Sequence, residues 1–285
     1  MIRIDSRSLP LRRENVPVTH PDAAWRGFFQ GAARVSSRVL LGLIVPGLVL
    51  LLWQIAVMRG WVAEQLLPPP TLVLQSLRDL WQSGDLQTNL LISLQRIGWS
   101  LLIGSVAGLA LGFSMGLSRI LRVYIQPTFL VVSQFPILAW IPLLIILLGI
   151  GEALKISAIT IAVVVPFAVN TARGMSQVPA SLIEVGRVYR FKRGQVFFRI
   201  VLPAALPSLF TGLRQGIMQA WLSLVFVELL ASSEGIGYLM VWGRQLLQMD
   251  LVVVGMIVIG AIGFGIEVLL TCIEKRLLYW RRAWT

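Results

Sequence analysis

Residues Glu184 to Pro203 read EVGRVYRFKRGQVFFRIVLP, with Arg187, Arg190, Lys192, Arg193 and Arg199 as cations and Glu184 as the acid. Apolar runs lie on both sides, near Ile156 to Thr171 before it and Ala204 to Ala231 after it. Such runs read as membrane spans, because about 20 apolar helical residues cross a hydrocarbon core. A basic segment wedged between two spans is a loop in water, placed where another protein can grip it.

Composition points the same way. The chain has 285 residues, 56% hydrophobic and 13% charged, against about a quarter charged in soluble domains. A net charge of +12 would suit nucleic acid, so the positions of the cations decide. All but six of the 25 Lys and Arg residues fall in four segments: Arg3 to Arg38, Arg119 with Arg122, Arg173 to Arg199, and Lys275 to Arg282. These alternate with neutral or acidic stretches, the pattern of cytoplasmic loops under the positive-inside rule. Nucleic-acid binding would instead interleave arginines with aromatics on a polar surface.

Several chemistries are excluded by single residues. Cys272 is the one cysteine, and His20, in the polar N-terminal stretch, is the one histidine. That rules out an intrachain disulfide, a His/Cys zinc cage and a Ser-His-Asp triad inside the membrane. A G-x-x-x-x-G-K-[ST] phosphate loop is missing and the lysines are only Lys155, Lys192 and Lys275, so ATP, if used, binds another chain. About 38 arginine-rich residues precede the first apolar run, unlike a secretory signal.

Residues 1–38 read as a basic cytoplasmic tail with a candidate interfacial helix near Trp25 to Arg38, and residues 39–285 as the membrane domain. Its expected spans are Val39 to Met58, Ile97 to Leu117, Val123 to Leu148, Ile156 to Thr171, Ala204 to Ala231 and Leu251 to Cys272. That makes an all-α protein with six transmembrane helices, both termini cytoplasmic, and a cytoplasmic loop over 173–203. Between the first two spans, Pro68-Pro69-Pro70 precedes Leu72, Leu74, Leu77, Leu80 and Trp81, a short amphipathic helix for the outer surface.

Glycines and polar groups mark the span interiors. Gly104, Gly108, Gly112 and Gly116 share one helical face, and Gly212, Gly216 and Ala220 repeat the device in the fifth span. Such faces admit another backbone closely, within the subunit or across a subunit interface. Ser133, Gln134, Pro136 and Pro142 predict a broken third span, whose freed carbonyls must face protein or water. Asn170, Arg214, Gln219, Ser223 and Glu228, with Ser133 and Gln134, are the candidates for lining a polar path, although hydrogen bonds between helices would use the same residues. Glu228 calls for a partner arginine or a gating role, and Glu267 is the other acid comparably deep.

The quoted loop resembles the EAA loop of bacterial ABC importer permeases, which reads Glu-Ala-Ala, three residues, Gly, nine residues, Ile-x-Leu-Pro. Glu184, Ile200, Leu202 and Pro203 fall in register, Val185 and Gly186 stand for the alanines, and Arg190 replaces the glycine. Glycine there permits a left-handed turn that arginine accommodates poorly. The run from Trp53 through LPPPTLVLQSL, with SLQRIGWSLLIGSVAGLALGFSMGLSR, WIPLLIILLGIGEALKI and SSEGIGYLM, is similar to the permeases for aliphatic sulfonates, taurine and nitrate.

The resemblance implies a type I (MetI-like) permease in the bacterial inner membrane. It would pair with a second copy of itself, two ATP-binding cassette ATPase subunits and a periplasmic or lipid-anchored solute-binding protein, surrounded by membrane lipid and with no nucleic acid. ATP and Mg would reside on the ATPases, with no cofactor on this chain. The implied ATPase-coupling residues are Glu184, Val185, Gly186, Arg187, Tyr189, Arg190, Arg193 and Pro203. The loop cations have a second explanation in contact with anionic lipid. Gly235, Gly237 and Tyr238 would form a turn near an outer gate or a plain tight loop. An ATP-independent carrier or channel, or an intramembrane enzyme, is the alternative class. The former would show inverted repeats and the latter an acid/base pair or metal set, none of which is evident.

Overall fold

The computed structural model describes residues 44–277. The N-terminal stretch 1–38 and the cations Arg281 and Arg282 lie outside the described residues. The chain divides at Arg59 into two units. In the first, helix α1 (Ile44–Met58) is apolar, the described part of the span expected from Val39.

The second unit begins with α2 (Pro70–Ser83), where the proline run supplies Pro70 at the first helical position, a place that needs no N–H. Gly84, at φ 87°, ends α2 and starts α3 (Asp85–Leu117). Asp85 in the first turn of α3 complements the helix dipole. The short amphipathic helix is thus present, with Leu72, Leu74 and Trp81 exposed and Val73 buried. Ser76 ties it to Asp250.

α3 starts twelve residues before the expected span. Its 33 residues make about 50 Å of helix, beyond the about 30 Å of a bilayer core. Hydropathy located the buried stretch, but polar turns do not stop a helix, so Asn89, Ser93 and Arg96 join the same rod.

α4 (Arg119–Val132) and α5 (Ile137–Leu148) meet at 92°. The break falls at Ser133 to Pro136 as expected: Pro136 is extended, with ψ 148°, and has no N–H to offer the preceding turn. α6 (Glu152–Ser176) follows, then α7 (Ala180–Val188), α8 (Arg193–Val196), a π-helical turn (Phe197–Val201), α9 (Leu202–Ala231), α10 (Ile236–Gln245) and α11 (Met249–Leu277). Among the described residues four helical stretches are long and apolar enough to cross a membrane, five if the bent α4–α5 pair counts as one.

α6 is the centre of the packing. A Cβ added at Gly104, Gly108, Gly112 or Gly116 would fall within 3 Å of Val163, Phe167, Thr171 or Met175. The stripe therefore serves contact within the chain, bringing α3 onto α6 backbone to backbone. On its other side α6 meets α9 at Gly212 and Gly216, where Asn170 and Phe167 fill the space. Ile159, Val163, Phe167, Trp221 and Leu224 close a core on which Ile259, Ile262 and Ile266 of α11 rest.

Pro203, one residue ahead of the expected fifth span, does not stand at a free helix start. The helical path instead runs unbroken from Arg193, and the Leu202 N–H reaches back to the Phe197 carbonyl. A proline ring clashes with the carbonyl four residues earlier, and the wider π turn accommodates it.

Candidate functional site

Three features stand out: a cavity at the broken span, a helical loop between α6 and α9, and a buried ion cluster.

The cavity has a volume of about 770 Å³. The α4–α5 break supplies Phe129, Ser133, Gln134, Phe135 and Trp140, α6 supplies a stripe from Thr160 to Arg173, and α9 supplies Gln215, Met218 and Gln219. Four of the seven residues predicted for a path therefore converge here: Ser133, Gln134, Asn170 and Gln219. Ser133 and Gln134 donate back to the Leu130 carbonyl, satisfying the turn that the break leaves open. Asn170 donates to Gln215 at 2.8 Å, joining α6 to α9 beside the cavity.

Arg214, Ser223 and Glu228 line no part of this cavity. Arg214 pairs with Glu267 and with Glu274 of α11. Ser223 is 1% exposed, and its hydroxyl has no partner. Glu228, also 1% exposed, belongs to the ion cluster.

In that cluster Glu228 is paired with Arg96. Its carboxylate accepts from Arg96 at 2.7 Å, Ser93 at 2.7 Å and the Gly237 N–H at 3.0 Å. Arg96 also forks onto both oxygens of Glu152, at 2.8 and 2.6 Å, and donates to the Glu234 carbonyl. Lys155 adds a further contact to Glu152. The first N–H groups of α10, orphans of any helix start, are taken by Asn89, Ser93 and Glu228. Gly235 turns the chain into this socket at φ 108°. Asn89, Ser93 and Arg96 recur at helical spacing on one face of α3. Arg96 carried no role in the sequence reading; a deep arginine at the level of a deep glutamate was the available signal.

The helical loop is the stretch Glu184 to Pro203. α7 ends in a Schellman arrangement, with the Arg190 N–H donating to the Arg187 carbonyl and the Phe191 N–H to the Gly186 carbonyl, both at 2.9 Å. Arg190 takes the left-handed position at φ 54°, so this chain keeps the turn without the glycine. Gly186 is buried, and a Cβ there would lie 2.8 Å from Ile200. The two ends of the quoted stretch thus close on each other. Leu182, Val185, Val188 and Tyr189 are exposed, at the spacing of one apolar helix face. Glu184, Arg187, Arg190, Arg193 and Pro203 are exposed as well. Sequence reasoning missed Leu182 and Val188, whose apolar side chains read as buried until the fold left them uncovered.

Residues 100–279 match the model of the binding-protein-dependent transport system inner membrane component family. A protein of Bacillus subtilis named for aliphatic sulfonates transport is 35% identical over 85% of this chain and 88% of its own length. The taurine transport system permease of Escherichia coli is 32% identical over 86% and 91%. The nitrate import permease of a Synechocystis strain is 31% identical over 84% and 90%. Among solved structures, a chain of the MetNI methionine ABC transporter in an inward-facing conformation superposes with a TM-score of 0.50. It covers 63% of this chain and 92% of its own, at 18% identity, a likeness of fold alone.

Proposed function

Since the chain belongs to the binding-protein-dependent transport system inner membrane components, we propose that it forms the path by which an ATP-binding cassette importer admits a small anion, an aliphatic sulfonate or a taurine-like or nitrate-like compound. In this reading ATP and Mg are bound by two separate ATPase subunits and no ATP-binding motif is needed here. Solute arrives from a periplasmic or lipid-anchored binding protein, and a second copy of the chain completes the assembly in the lipid. α1 would supply the sixth span, with both termini cytoplasmic and the membrane domain beginning near residue 39.

One observation carries the proposal: the quoted loop joins α6 and α9, two of the helices that line the cavity. α7 follows α6 through a short turn, and α8 runs helically into α9. A displacement of α7 would reach Asn170 through the turn at 177–179 and Gln219 through residues 189–192 and α8. The exposed face of Leu182, Val185, Val188 and Tyr189, beside Glu184, Arg187, Arg190 and Arg193, is what an ATPase groove would hold, with Gly186 packed beneath it against Ile200 and Pro203 within the helical run from Arg193 that would pass the motion on. Ser133, Gln134, Asn170 and Gln219 are the proposed path residues. The pairing of Arg214 with Glu267 and Glu274, and of Glu228 with Arg96, supports a holding role for both, and Ser223 is buried away from the cavity.

Affinity purification of the tagged protein in mild detergent tests the docking site. An ATPase subunit co-elutes with the wild type and is lost from Glu184→Lys, whose membrane level is unchanged. Retention of the ATPase by that variant would move the docking site elsewhere.

A further inference from the structure

The lining of the cavity holds one charged side chain, Arg173, and no Asp or Glu. A second, smaller cavity of about 190 Å³ shares Phe129, Val169 and Arg173 with it and adds Arg122, again without an acid. The other cations near this level are engaged. Arg122 donates to the Met115 and Gly116 carbonyls, and Arg214 is held by Glu267 and Glu274. Among the described residues Arg173 has no ion-pair or hydrogen-bond partner for its guanidinium. Thirteen residues earlier on the same helix, about 20 Å away, Thr160 lines the cavity with a buried hydroxyl that has no partner. Between them lies Asn170, its amide fixed by Gln215.

We infer that Arg173 is the anion-contacting group of this path, drawing the oxyanion head of the solute from the level of Thr160 towards the cytoplasmic end of α6. The inference rests on the small-anion reading above. A guanidinium presents a planar fork of donors that fits two oxygens of a sulfonate or carboxylate at once. Arg173 itself is exposed, in the last turn of α6, so it meets the solute at the end of the cavity, where the apolar walls beside it limit screening. The remaining walls, including Phe129, Phe135 and Trp140, suit a short apolar chain behind that head. The solute class is an alkyl oxyanion such as an alkanesulfonate.

The test uses the whole complex, this chain with its ATPase and binding protein, in proteoliposomes. ATP-dependent accumulation of radiolabelled ethanesulfonate is compared for wild type, Arg173→Gln and Arg173→Lys. Hydrogen bonds to a charged group support a loss of roughly tenfold or more in the Gln variant, with the ATPase still co-eluting and a partial recovery in the Lys variant. Accumulation by Arg173→Gln at the wild-type rate overturns the inference and leaves the import reading standing. Loss of the ATPase from the purified Gln variant also overturns it, because the arginine would then serve assembly. Wild-type proteoliposomes that accumulate none of ethanesulfonate, taurine and nitrate would remove the small-anion reading, and the inference with it.

Discussion

At the scale of single residues, the decisive groups are those whose surroundings a neighbour list along the chain does not reveal. Arg96 and Glu228 are 2% and 1% exposed, so each neutralises a charge that burial would otherwise penalise. Removing one partner of such a pair costs about 3–5 kcal/mol. Arg96→Met is expected to lower the thermal unfolding temperature in detergent well below that of wild type, and the double variant with Glu228→Met to recover much of the loss. A pair whose effects simply add would show that the contact carries no coupling. Arg190 gives a prediction of opposite sign. A non-glycine residue in the left-handed region is strained by about 1–2 kcal/mol, so Arg190→Gly should raise thermal stability by about that amount, with no new contact formed. An unchanged or lowered midpoint would show that the Arg190 side chain makes up for its backbone. The spacing from Glu184 to Pro203 and the odd arginine within it were legible in the sequence. The fork from Arg96 to Glu152 and Glu228 was not, because those residues are 56 and 132 positions away and meet only after three helices have packed.

Among elements, the glycine stripe of α3 sets how closely the bundle closes. A Cβ at Gly112 would lie 2.8 Å from the Ala168 carbonyl oxygen, a backbone atom that yields only if α6 moves. Gly112→Ala should therefore destabilise by about 1–3 kcal/mol, the usual cost of overpacking. Gly98→Ala on the same helix has open space around it and should be neutral or stabilising by up to about 1 kcal/mol through helix propensity. Thermal unfolding of the two variants side by side reads this out, and equal effects would contradict the close approach. The stripe, the break at Pro136 and the short amphipathic helix could all be read from spacing and proline chemistry. The early start of α3 could not, since a hydropathy window reports where lipid contact begins and not where hydrogen bonding does. The π turn before Pro203 was hidden for a related reason: whether a proline begins a helix or interrupts one depends on residues ahead of it that carry no signal of their own.

Across the whole molecule, two helices lead out of the cavity and are joined by one helical loop. The family was legible because the loop, the glycine face and the Ser232 to Met240 stretch occur together, and the matched region spans most of the membrane domain. The composition of the cavity was only half legible. Polar residues inside spans announce themselves, but Phe129 and Trp140 look like any lipid-facing side chain until the bend at 92° brings them to the cavity, which Met218 joins from α9. The central claim is that ATP hydrolysis on a partner moves α7 and, through α6 and α9, reshapes this cavity. Its most direct test is solute-stimulated ATP hydrolysis by the complex in proteoliposomes, with binding protein and ethanesulfonate, taurine or nitrate inside the assay, for wild type against Glu184→Lys. Wild type should show stimulation by one of these solutes, and Glu184→Lys should sit in the membrane at the same level with none. Stimulation of equal size in the variant would contradict that claim.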